Sequence, residues 1–352
     1  MKKKWLSVFL CVSMAAAVLT GCGSGGTSAG ANGELNIFVW TEYVPDSVIE
    51  KFEEETGIKV NMSTYSSNED MLAKVKSETA GAYDVVQPSD YMVAQMISQG
   101  MLRELDYDML PNFSNIGESY KNPSYDPGNV YSVPYMGGAG AIVVNTSKID
   151  MEIDSYDDLF DPSLAGQLVV LDDFRAVIGM TSKSMGYSLN ESDPAVLAEV
   201  SEKLMKLKNN VVLYDSDSPK SALISGDCNA GMIWSAEVAM AMEENPDIEV
   251  IYPEEGAYLF FDNWCVTKES PNYENAMKFL NFMMDPENMA MVLEEFPYLC
   301  ANTKAIELMG AEYSENPAKN PPADAIAKGE YVQNLDSSVL DIYSEMWTKL
   351  KE

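Results

Sequence analysis

Between residues 34 and 91 the spacing of apolar positions switches back and forth between two periods. ELNIFVW (Glu34–Trp40) is a short apolar run of strand length. DSVIEKFEEETG (46–57) places its apolar residues on one helical face, with Asp46 at its start and Gly57 as a stop signal. IKVNMSTY (58–65) returns to a strand. SNEDMLAKVKSETAG (67–81) predicts a second helix ending at Gly81, and YDVVQPSDY (83–91) a third strand running into a turn. This alternation predicts a mostly parallel sheet with helices on both faces. In such sheets ligands bind outside the carboxyl ends of the strands, where WTEY (40–43) and PSDY (88–91) fall.

A loop-rich middle with Pro111, Pro123, Pro127 and Pro134 follows, and GGAGAIVVN (137–145) opens a new extended segment. A second set of elements comes next: strand QLVVLDD, helix DPAVLAEVSEKLMKLKNN, strand VVLYDSD, helix PKSALISG and strand AGMIWS. GAYLFFDNWCVT (256–267) reads as a further crossover, and helical patterns dominate from there to the end. Two similar α/β units joined by more than one crossover leave a cleft between lobes. The chain shows no tandem repeat of short period.

The amino terminus follows none of these patterns. Lys2, Lys3 and Lys4 precede an apolar stretch too short to span a membrane, which ends in Leu19-Thr20-Gly21-Cys22. This is the pattern of a lipoprotein signal peptide (1–22), in which Cys22 becomes the lipidated first residue. GSGGTSAGANG (23–33) then reads as a flexible tether. The expected location is extracytoplasmic, held to the cell membrane by lipid. About 320 residues remain, enough for two lobes.

Charge and composition narrow the function. A net charge of −32 repels nucleic acid and attracts cationic ligands. Histidine is absent, which removes His acid–base relays and His metal sites; no metal and no cofactor is expected. GTSAG (26–30) matches a nucleophile-elbow pattern, but without a preceding strand, a following helix or any His. There is no phosphate-cradling Gly-Lys-Ser/Thr loop and no dinucleotide fingerprint. A hydrolase using two of the many carboxylates stays open as an alternative. Cys228, Cys265 and Cys300, the cysteines left after processing, are odd in number and read as small buried residues.

FVWTEYVPDSVIEKFEEETGIKV, GAYDVVQPSDYMV, YSVPYMGGAGAIVVN, LVVLDDFR and GMIW resemble the spermidine/putrescine-binding proteins of bacterial polyamine ABC importers, in the same order along nearly the whole mature chain. The resemblance implies an α/β, two-lobed, type II periplasmic-binding-protein-like fold that closes on a ligand. It also implies a monomer that carries out no chemistry, with a polyamine as ligand and an ABC permease as partner. We place lobe 1 at 34–136 and 263–300, and lobe 2 at 137–262 and 301–352. A polyamine needs carboxylates for its ammonium groups and aromatic walls for its methylenes. The matched positions are Trp40, Thr41, Glu42, Tyr43, Ser89, Tyr91, Asp173 (with Asp172 beside it), Trp234, Phe260, Asp262, Tyr298 and Gln333.

These positions also have plainer readings. The aromatics can be core residues, Glu42 can favour the N-terminus of the following helix, and Ser89 can cap the next one. Spermidine binders of the resembled family carry Glu where this chain has Ala176. The loss of one carboxylate points to a diamine such as putrescine or to a changed set of spermidine partners, and Ala176→Glu is expected to favour spermidine. A different cation, such as a quaternary amine in an aromatic cage, is the alternative within the binding class.

Overall fold

The computed structural model describes residues 32–352. The expected signal peptide, Cys22, GTSAG and the tether up to residue 31 lie outside the described residues. The first elements are β1 (Glu34–Trp40), α1 (Asp46–Thr56), β2 (Lys59–Tyr65), α2 (Asn68–Ser77), β3 (Val85–Val86) and α3 (Asp90–Ser98). β1 runs parallel to β2 on one side and to β3 on the other. α1 buries Val48, Ile49 and Phe52, the stripe its sequence spacing sets out. α2 ends at Ser77 rather than at Gly81. Residues 78–81 instead turn the chain toward β3, and a Cβ on Gly81 would stand 2.7 Å from the Glu269 carbonyl oxygen.

Short 3-10 turns fill the loop-rich middle (107–120). β4 (Ser132–Asn145) then begins earlier than expected and includes Pro134. Proline has no N–H to give to a ladder, and the pairing of β4 shifts register between Pro134 and Met136. The second lobe contains β5 (Leu168–Val170), α4 (Phe174–Lys183), α5 (Pro194–Leu207), β6 (Val211–Tyr214), α6 (Lys220–Ser225), β7 (Ala230–Trp234), α7 (Ser235–Glu244) and β8 (Ile248–Ile251). α4 did not show in the sequence pattern for a physical reason. Eight of its ten residues are buried, including the polar Arg175, Thr181 and Ser182, so a polar position there does not mark a solvated face.

β9 (Tyr258–Val266) runs antiparallel to β4, from Ser132 opposite Cys265 to Gly140 opposite Tyr258. Every residue of both strands is buried. Their far ends join different neighbours, β3 in the first lobe and β7 and β8 in the second. The two lobes thus share a pair of through-going strands. After β9 come α8 (Tyr273–Met283), α9 (Pro286–Glu295), β10 (Leu299–Cys300), α10 (Thr303–Met309), α11 (Ala311–Ser314), α12 (Ala323–Lys328), β11 (Glu330–Tyr331) and α13 (Ser337–Lys351). α10 packs on α9, and α13 packs on α4 and α5.

Cys228, Cys265 and Cys300 are buried and unbridged. Among the described residues no helix is long and apolar enough to cross a membrane, and no cluster of three or more Cys, Asp or Glu is placed to hold a metal.

The tightest strand contact lies in the second lobe. Gly231 of β7 faces Val169 of β5, and a Cβ there would fall 1.9 Å from the Val169 carbonyl oxygen. Gly231→Ala is therefore expected to lower the unfolding free energy by about 1–3 kcal/mol through forced strand separation, read as a drop in the urea midpoint at unchanged slope.

Candidate functional site

The site is assembled from strand ends of both lobes. Trp40 closes β1, and the backbone then turns so that Glu42 adopts φ 50°, a left-handed conformation uncommon outside glycine. That turn directs Tyr43 inward, where its hydroxyl donates to Asp262 Oδ2 at 2.8 Å. Ser89, between β3 and α3, donates to Asp262 Oδ1 at 2.5 Å and accepts from Asn68 Nδ2 at 2.9 Å. Its side chain makes no helix-capping bond, so the carboxylate and not the helix holds it. From the second lobe, Trp234 ends β7 and donates through its indole to the Ser216 carbonyl at 3.2 Å. Asp173 caps α4, accepting from the Arg175 and Ala176 backbone N–H groups at 2.8 and 3.1 Å.

These residues enclose a narrow cavity of about 40 Å³ between the lobes. Its lining includes Trp40, Thr41, Tyr43, Ser89, Asp173, Trp234, Phe260, Asp262 and Tyr298. The aromatic wall is continuous: Trp234 lies 4.9 Å from Phe260, and Tyr43 lies 4.8 Å from Tyr298, between ring centroids. The indole N–H of Trp40 and the hydroxyl of Ser216 are buried there without a hydrogen-bond partner.

Three of the twelve matched positions are placed elsewhere. Glu42 reaches past the cavity to Lys220 Nζ at 2.5 Å. Tyr91 and Gln333 line a neighbouring cavity of about 430 Å³ with Asp90, Tyr120, Tyr125 and Phe261. The face of Tyr91 is covered by the Arg175 guanidinium at 4.3 Å, and Arg175 bonds Glu69 across the cleft at 2.8 Å. Asp172 points outward and pairs with Lys351. Ala176 is fully buried in the first turn of α4, so a glutamate there would have to displace packed atoms; Ala176→Glu would test packing as well as ligand choice.

Asn68, Ser216, Asp217 and Tyr258 join the lining without having been singled out. The signals were there. Tyr258, Phe260 and Asp262 alternate along β9 and share a face. Ser216 and Asp217 follow the carboxyl end of β6, where the strand-end rule already pointed.

The electrostatics suit a cation. Burial pushes the Asp262 carboxyl up to about 7, against the pull of the Ser89 and Tyr43 hydroxyls. Burial and the nearby Glu69 carboxylate push Asp173 up to about 6. Both carboxyls lack a full counter-charge at neutral pH, and an ammonium group would supply one.

A family model described as bacterial extracellular solute-binding protein matches residues 47–322. The chain is 38% identical over 350 residues to the spermidine/putrescine-binding periplasmic protein of Salmonella typhimurium, covering 99% of each. Among solved structures, a spermidine/putrescine ABC transporter substrate-binding protein from Streptococcus pneumoniae superimposes with a TM-score of 0.76 at 34% identity, over 90% of this chain and 98% of that one. A lipoprotein of Treponema pallidum superimposes with a TM-score of 0.79 at 27% identity, over 90% and 99%.

The raised Asp262 pKa fixes the sign of a pH effect. The folded protein keeps this proton up to about pH 7, whereas an unfolded chain releases it near pH ~4. Stability attributable to Asp262 is therefore lost as pH rises through that window. Asp262→Asn is expected to flatten this slope, gaining at least about 1 kcal/mol on the wild type between pH 5 and 7.5 in denaturant melts without ligand; parallel pH profiles would refute the assignment.

Proposed function

This chain belongs to the bacterial extracellular solute-binding proteins, and we propose that it captures a polyamine, spermidine or putrescine, between its lobes and delivers it to the permease of an ABC importer. The observation that carries this reading is the composition of the interlobe cavity. Asp173, Asp217 and Asp262 converge there on a space walled by Trp40, Tyr43, Trp234, Tyr258, Phe260 and Tyr298. Carboxylates accept the N–H donors of ammonium groups, and the rings cover methylenes and attract charge by about 0.5–2 kcal/mol each. The names of the similar proteins from Salmonella and Streptococcus support the same ligand class.

The protein binds its ligand without turning it over. A cavity of about 40 Å³ holds no more than a water or two, so the lobes part to admit a polyamine and close around it. We assign 34–136 with 263–300 to one moving body and 137–262 with 301–352 to the other, except that α10 (Thr303–Met309) is moved from the second body to the first because it packs on α9. Cys22 is proposed as the lipid attachment point, holding a monomer at the outer face of the cell membrane; the likeness to a Treponema lipoprotein supports this.

The quaternary-amine alternative draws on the same aromatic wall, but such a ligand has no N–H to satisfy three carboxylates. Calorimetry against diamines, polyamines and quaternary amines separates the two. Asp262→Asn is expected to weaken polyamine binding by at least about tenfold, as loss of a charged partner does. Affinity within twofold of wild type would remove Asp262 from the site. Cys22→Ala, expressed in its native host, is expected to release the protein from the membrane fraction and abolish incorporation of labelled fatty acid.

A further inference from the structure

The cleft contains an ammonium group of its own. Lys220, the first residue of α6, places Nζ 2.5 Å from Glu42 Oε2, 3.0 and 3.2 Å from the two Glu237 oxygens, and 3.0 Å from Ser218 Oγ. Three ammonium protons meet acceptors on three residues, so Lys220 is saturated. The cluster crosses the cleft, because Glu42 comes from the first lobe while Lys220 and Glu237 come from the second.

Three features show that the cluster is built and not incidental. Glu237 is 1% exposed, and a buried carboxylate requires a paired cation. Although burial disfavours its charged form, Lys220 is held above its ordinary pKa by Glu237 and Glu42. Glu42 is held at φ 50°, a costly conformation for a residue with a Cβ, and from there it reaches Lys220. The cluster adjoins the ligand cavity: Glu42 stands between Thr41 and Tyr43, and Ser218, which accepts from Lys220, follows Asp217; Thr41, Tyr43 and Asp217 all line the cavity.

We propose that Lys220 is a specificity-determining residue, whose ammonium occupies the Glu42 end of the cleft in place of one ligand ammonium, so that the site takes ligands with two ammonium groups in preference to those with three. The inference rests on the polyamine reading of the cleft and sharpens it. Asp173, Asp217 and Asp262 stay available to a diammonium ligand. A third ammonium directed at Glu42 meets Lys220 instead, and juxtaposed like charges discriminate strongly between partners.

The test is calorimetry with putrescine, spermidine and an unbranched eight-carbon diamine. The proteins are the wild type, Lys220→Met, and Lys220→Met with Glu237→Gln, the last removing the buried charge pair together so that no buried carboxylate is left uncompensated and only the part-exposed Glu42 is freed. Thermal melts establish that each variant is folded. The wild type is expected to bind putrescine more tightly than spermidine, and both variants to raise spermidine affinity relative to putrescine by about tenfold or more. The eight-carbon diamine, about as long as spermidine but with two charges, is expected to change by no more than about twofold. An unchanged spermidine-to-putrescine ratio in the double variant overturns the role of Lys220 while leaving the polyamine reading intact. An equal gain for the eight-carbon diamine also overturns it, because the residue would then limit length and not charge. A wild type that binds no amine at all removes the polyamine reading itself.

Discussion

A carboxylate at 3% exposure in the middle of a fully buried strand is the constraint around which the cleft is organised. Asp262 cannot remain charged there without donors. Both donors come from the first lobe, Tyr43 from the turn after β1 and Ser89 from the start of α3. Each is itself held: the Tyr43 carbonyl accepts from the Tyr135 hydroxyl at 3.1 Å, and Ser89 is clamped by Asn68. One acidic side chain on the shared strand thus fixes the ends of two neighbouring elements, and with them the aromatic residues beside the cavity. Hydroxyl donors offset its burial only in part, so its pKa remains near neutrality, where an arriving positive charge has the most to gain.

Much of this was legible in the chain. Elements with one solvated face announced themselves: α1, β2, α5 and α6 stand where apolar spacing and stop signals put them, and the apolar run of β1 does so too. The resemblance to polyamine-binding proteins named nine residues that the structure gathers around one cavity. What escaped notice was buried all round or depended on distant partners. α4 buries even its polar residues Arg175, Thr181 and Ser182, so they mark no solvated face. Glu237 looked like one acid among 55, and only folding sets it beside Lys220. Tyr91 and Gln333 were identified by position alone, and position does not reveal that Arg175 covers the Tyr91 ring.

The lobes are joined by charge in a consistent way. Arg175 and Lys220, both from the second lobe and largely buried, reach across to Glu69 and Glu42 of the first, which are 34% and 38% exposed. Each pair gives a largely buried cation its counter-charge and fixes orientation across the cleft. The facing surfaces are therefore registered by the protein's own charges.

The three thiols have a consequence for how the protein is made. Burial lifts Cys228 to about 11 and Cys300 to about 12, and Cys265 well above its ordinary value. At neutral pH a thiol at 11 is ionised about once in ten thousand molecules, and only the thiolate exchanges with disulfides. In the folded protein these three thiols therefore exchange slowly with disulfides. In the unfolded chain the same three thiols are exposed and exchange freely. Folding itself is what withdraws these three thiols from exchange.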